Sequence, residues 1–164
     1  MALTSREKEL VAVGASVAAG CKPCTSYHLK EARKTGVAED EIRQAIADAI
    51  CVRSSATETV RRHALEASAD GREIPACGCS DPTTRIGELV SIGAAFAINC
   101  PSNLGKHLKA GEQAGVTDDE VKAVTELAAF IKKMAASHVE RLVGFNEDAV
   151  MELQATEKGT ASCC

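Results

Sequence analysis

Residues 9–21, ELVAVGASVAAGC, return as residues 88–100, ELVSIGAAFAINC. A shift of 79 positions extends the match without a gap, from residues 9–57 onto residues 88–136. The register keeps Glu9 with Glu88, Gly14 with Gly93, Cys21 with Cys100, His28 with His107, Gly36 with Gly115 and Glu41 with Glu120. Ala-rich helices resemble one another in composition, but composition does not hold Glu, Cys, His and Gly in one register. The chain is therefore a tandem duplication.

Each copy reads as three helical pieces. The first covers residues 5–19, opened by Thr4 and Glu7 at capping-box spacing. Its counterpart is expected to begin at Asp81-Pro82, an acidic N-cap followed by Pro at the first helical position. The second opens around residues 21–23 and stops at Gly36, which suits a left-handed C-cap; its twin runs from Pro101 towards Gly115. The third has an apolar stripe at Ile42, Ala45, Ile46, Ala49 and Ile50, and in the second copy Thr117 and Glu120 form another capping box. Whether it continues, or breaks and resumes, through residues 60–65 to Gly71 is open at this level. The expected organisation is a first repeat over residues 1–70, a Gly- and Pro-rich linker over 71–83, a second repeat over 84–154 and a disordered tail over 155–164. Each copy alone would expose too much apolar helix, so the two are expected to pack as an intramolecular pseudo-dimer.

Composition agrees with an all-α class. Apolar residues make up 45% of the 164, which excludes wholesale disorder, yet there is no Trp, one Tyr and three Phe. The apolar content is largely Ala, the strongest helix former, and alternating strand-like runs are absent. A formal charge of −4 argues against nucleic acid as the main partner. The charged N-terminus lacks a secretory pattern and no apolar stretch is long enough for a bilayer, so the expectation is a cytoplasmic protein without a membrane partner.

Eight cysteines then need a reason other than a secreted disulfide framework. Six fall in pairs: Cys21/Cys24, Cys77/Cys79 and Cys163/Cys164. In a reducing compartment such spacing points to redox chemistry or soft-metal binding. Cys21, Cys24 and His28 are three, four and seven residues apart, so one helix face carries all three. A helix start stabilises a thiolate through its unpaired N–H groups and positive dipole end. There a thiol pKa falls from about 8.5 to roughly 3.5–7.5. Pro23 suits that first turn. His28 is placed to take a proton from Cys24. A hairpin at Ala19-Gly20 would fold the preceding helix back and bring Glu9 to orient the imidazole. Which thiol attacks first stays open: the helix start favours Cys21, nearness to His28 favours Cys24.

The pattern E-x11-C-x2-C-x3-H, filled by Glu9, Cys21, Cys24 and His28, resembles the alkylhydroperoxidase D-like group of the carboxymuconolactone decarboxylase superfamily. Gly36-Val37, the acids at residues 39–41 and Ile42 extend the resemblance, which spans most of both repeats. It implies an all-α fold assembling into trimers or hexamer-like particles, and peroxidase or disulfide-reductase activity with a Glu9/His28 proton relay. Decarboxylases of that superfamily generally lack the cysteine pair, so its presence argues for redox chemistry. The partners this implies are a peroxide or disulfide substrate and a dithiol reductant protein. No flavin, nicotinamide or haem motif is present, so no cofactor is expected.

The second copy departs from the pattern. Asn103 stands where the second cysteine belongs, so Cys100 and His107 are expected to play mainly a structural part, with one working site per chain. The plainer reading of Cys21/Cys24/His28 is a structural zinc site, completed by Cys77 or Cys79, or inert buried cysteines. Cys51 reads as core, and His63 and His138 as surface or capping histidines without a partner at helical spacing. The rival function is a soft-metal or metalloid carrier using all three cysteine pairs, in which Cys77, Cys79, Cys163 and Cys164 capture an ion such as arsenic(III), mercury(II) or copper(I) and hand it on to Cys21/Cys24.

Overall fold

Thr4 opens the first helix by the expected device: its Oγ1 accepts the Glu7 N–H while the Glu7 carboxylate accepts the Thr4 N–H. The computed structural model describes residues 2–66 and 84–144, and within them the chain is helical, with no strand. The first copy supplies α1 (Ser5–Ala18), α2 (Lys22–Lys34) and α3 (Glu39–Glu66); the second supplies α4 (Arg85–Ala97), α5 (Pro101–Gln113) and α6 (Asp118–Leu142). Gly36 and Gly115 follow α2 and α5 at φ +77° and +82°, a left-handed conformation that suits glycine. The capping box of Thr117 and Glu120 opens α6. No helix among the described residues is long and apolar enough to cross a membrane.

One helix limit differs from expectation, and one that the sequence left open is decided. The described α4 starts at Arg85, because Thr84 is extended and its hydroxyl accepts the Gly87 N–H at 3.1 Å. Asp81 and Pro82 lie outside the described residues, as do most of the linker, Cys77, Cys79 and the tail with Cys163 and Cys164. The first copy's third helix neither stops nor breaks; with no Gly or Pro inside it, α3 runs 28 residues. Along it Ile42, Ala45 and Ala49 are buried, but Ile50 is 52% exposed and Cys51 is half-buried rather than core.

The centre of the molecule is α1 against α4. From Leu10 to Ser16 every residue of α1 is buried, and from Gly87 to Ala95 every residue of α4 is. A helix apolar on all sides must be surrounded. Accordingly α1 touches α2, α3, α4 and α6, while α4 touches α1, α3, α5 and α6. The contact obeys the internal repeat: a Cβ on Gly14 would sit 2.5 Å from a Val90 methyl, and one on Gly93 would sit 3.0 Å from a Val11 methyl. Gly14 and Gly93 are repeat equivalents, as are Val11 and Val90, so each copy offers a notch to the other's branched side chain. Polar pairs repeat too. Arg6 holds Glu41 at 2.6 Å, and its equivalent Arg85 holds Glu120 while also reaching Glu7 of the first copy at 2.5 Å.

Candidate active site

At the end of α1 the chain turns at Gly20, whose φ of +72° is the left-handed region that favours glycine. Arg53 of α3 lies against this turn and donates from Nη1 to the Ala18 carbonyl at 2.5 Å, a cation at a helix C-terminus. The reversal makes Cys21 the N-cap of α2, with Pro23 in its first turn. The Cys24 N–H donates to Cys21 Sγ at 3.2 Å, so the sulfur does what a Ser or Asp oxygen does at an N-cap. Cys21 and Cys24 are joined as a disulfide, their Cα atoms 5.3 Å apart. Both are buried.

One turn on, His28 Nδ1 lies 3.0 Å from Glu9 Oε2. Their side chains are 11% and 22% exposed, so the pair is sheltered but not sealed. The Gly20 reversal is what carries Glu9, at the start of α1, back to the His28 face of α2. With Nδ1 committed to the carboxylate, Nε2 is the nitrogen left for proton exchange. Tyr27 stands edge-on to the imidazole, ring centres 5.0 Å apart.

His28 lines a cavity of about 430 Å³ between α2 and α6. From α2 it is lined by Pro23, Cys24, Tyr27 and His28; from α6 by Phe130, Ile131, Met134 and His138. The two walls come from different copies. Cys24 lines the cavity, and Cys21 is not among its lining residues. His138 is no remote surface histidine: a ring nitrogen of it and the sulfurs of Cys21 and Cys24 all lie within 4.8 Å of one another. Sequence reading missed it because its partners sit on a helix of the other copy, more than a hundred residues earlier. His63, by contrast, is exposed on α3.

The repeat-equivalent site in the second copy keeps the His–Glu contact and the N-cap cysteine but lacks the second sulfur. His107 Nδ1 lies 2.8 Å from Glu88 Oε2, both nearly fully buried. Asn103, in the place of Cys24, donates to the Val52 carbonyl at 2.9 Å and accepts from the Ser55 hydroxyl at 3.1 Å. Thr59 occupies the repeat position of His138. Cys100 caps α5 without a side-chain hydrogen bond and opens onto a separate cavity of about 660 Å³. One thiol beside a tethered amide cannot close a local disulfide. The second copy is nevertheless more than scaffold, since its α6 forms half of the Cys24 cavity.

The family model of the carboxymuconolactone decarboxylase family matches residues 2–70 and again residues 81–142. No curated protein and no solved structure matches the chain at a significant level.

Proposed function

We propose that this chain, which belongs to the carboxymuconolactone decarboxylase family, is a thiol-dependent oxidoreductase that reduces a peroxide or a disulfide at Cys24. The observation that carries this reading is that His28, held by the Glu9 carboxylate, lines one cavity with Cys24, whose sulfur is in bonding range of Cys21.

In the reduced protein Cys24 gives its proton to His28, whose charge the Glu9 carboxylate balances. The Cys24 thiolate attacks the terminal oxygen of a peroxide, the O–O bond breaks, and the alkoxide leaves as an alcohol with the proton held at His28. Cys24 is then a sulfenic acid. Cys21 attacks its sulfur, water departs, and the Cys21–Cys24 disulfide closes. A disulfide substrate follows the same course through a mixed disulfide, releasing two thiols. The cavity supports Cys24 as the first to attack, because Cys24 lines it and Cys21 does not, while Cys21 accepts the Cys24 N–H, a bond that favours its thiolate for the second attack. A separate dithiol protein reopens the bond, and the chain works as a homo-oligomer.

The test is to reduce the protein, add one equivalent of alkyl hydroperoxide, quench with an alkylating agent at intervals and map disulfides by mass spectrometry. Rapid closure of Cys21–Cys24, with Cys24→Ser unreactive and Cys21→Ser trapped at the sulfenic acid, is expected. If both thiols alkylate only at high pH, and neither peroxide nor a small disulfide closes the bond, the reading fails.

A further inference from the structure

His138, which stands beside the two sulfurs, is the group that the redox reading leaves unused. We propose that, when Cys21 and Cys24 are reduced, they and His138 form a binding site for a zinc-class d10 divalent ion, and that closing the disulfide abolishes it. The site shares its sulfurs with the proposed function but does not depend on that function being right.

Two thiolates and one imidazole are the ligand set that a borderline-soft ion selects over hard cations. The three donor atoms lie within 4.8 Å of one another. Around a tetrahedral zinc they would stand roughly 3.5–3.8 Å apart, given Zn–S and Zn–N bonds of about 2.3 and 2.0–2.1 Å. Reduction frees the two sulfurs, now bonded to each other, to part to that spacing, and the half-buried His138 has side-chain torsions with which to meet them. The two sulfurs are buried at a helix N-terminus, where a pair of adjacent thiolates repel and a dication would neutralise both. The fourth coordination position would face the cavity, leaving room for water or a small ligand. His28 lies outside this three-donor set, its Nδ1 bound to Glu9. The site spans both copies: α2 brings the sulfurs and α6 the imidazole.

Ion and disulfide exclude each other because both use the same sulfur electrons. With a peroxide as oxidant the balance is Zn(S-Cys)2 + ROOH + 2 H⁺ giving Zn²⁺, the Cys21–Cys24 disulfide, ROH and water. The two thiolates lose two electrons and the peroxide gains them. The site would thus report the redox state of the pair as bound or released metal.

The experiment titrates the reduced full-length chain with Co²⁺, in a background where Cys77, Cys79, Cys163 and Cys164 are Ser. Expected are a near-ultraviolet thiolate-to-cobalt band and visible d–d bands of four-coordinate strength, saturating at one ion per chain. Zn²⁺ should displace the cobalt, and one equivalent of peroxide should discharge it. His138→Ala should weaken binding by about 100-fold, the upper end of what even outer partners of metal ligands contribute. His138→Cys, which restores a soft donor, should recover it. Equal binding in wild type and His138→Ala, or only weak octahedral-type bands at millimolar Co²⁺, overturns the proposal. If metal-free protein closes its disulfide with peroxide yet shows no cobalt bands, the metal site falls and the oxidoreductase stands. Cobalt bound through His138 in a protein whose disulfide never forms supports the site and refutes the redox function instead.

Discussion

His28 and Glu9 share one task in the proposed reaction: the imidazole would move the proton, and the carboxylate 3.0 Å from its Nδ1 would hold the ring and balance its charge. His28→Ala should therefore slow peroxide-driven closure of Cys21–Cys24 by about 10²–10⁴-fold at neutral pH, measured by rapid-quench alkylation. Glu9→Gln should show a smaller loss, because a neutral amide still orients the ring. The equivalent substitution in the other copy separates chemistry from folding. Glu88→Gln disturbs a pair that is almost fully buried but has no second thiol to serve. It should lower the thermal midpoint and leave the closure rate unchanged; a matching loss of rate would refute the assignment of one working site per chain.

Among the helices, the contact of α1 with α4 is the one that admits least change. Ala is favoured over Gly in a helix by about 1 kcal/mol, so propensity alone predicts that Gly14→Ala stabilises α1. The Val90 methyl 2.5 Å from the new Cβ belongs to a stiff, fully buried β-branched side chain that cannot swing away. At 2.5 Å the overpacking lies in the upper part of the usual range, about 2–3 kcal/mol, so that after the propensity gain a net loss of about 1–2 kcal/mol is expected in denaturant unfolding. Gly105 is the control. It lies exposed in α5 with no atom within 4 Å of its would-be Cβ, so Gly105→Ala should gain about 0.5–1 kcal/mol. Opposite signs for one chemical change would show that packing governs the first position and propensity the second.

At the scale of the molecule the copies are tied by charge as well as by packing. Arg85 of the second copy holds Glu7 of the first and Glu120 of its own α6. Burial works to raise the Glu7 carboxyl, but the Thr4 N–H and the Arg85 guanidinium outweigh it and hold Glu7 below 4.5. The Thr117 N–H, against burial and with help from Arg85, lowers Glu120 likewise. For acids depressed in the folded state, the added stability is present above their unfolded value near 4.5 and is lost as pH falls through the folded values. Arg85→Ala should cost about 1–2 kcal/mol at pH 7, discounted because the guanidinium is one-third exposed. The deficit should shrink as both proteins are taken below pH 4. A deficit independent of pH would mean that Arg85 acts by packing alone.

What the sequence determined by itself was everything that depends on spacing along one stretch of chain. The 79-residue register made the duplication legible, the capping boxes at Thr4 and Thr117 marked helix starts, and Gly36 and Gly115 marked helix ends. Residues within one copy, joined by one short turn, were equally readable: the glycine at position 20 was enough to anticipate Glu9 meeting His28. Ile50 was misread because an apolar repeat says which residues share a stripe, not how far along a long helix neighbours continue to cover it. His138 was missed for a deeper reason. It lies just past the matched register, its equivalent at the same 79-residue offset is Thr59, and it has no partner at helical spacing on its own helix, so nothing local singled it out. Only tertiary structure decided that α6 of the second copy lies over α2 of the first, because helices far apart in sequence meet where shape and burial send them, and no local period encodes that choice.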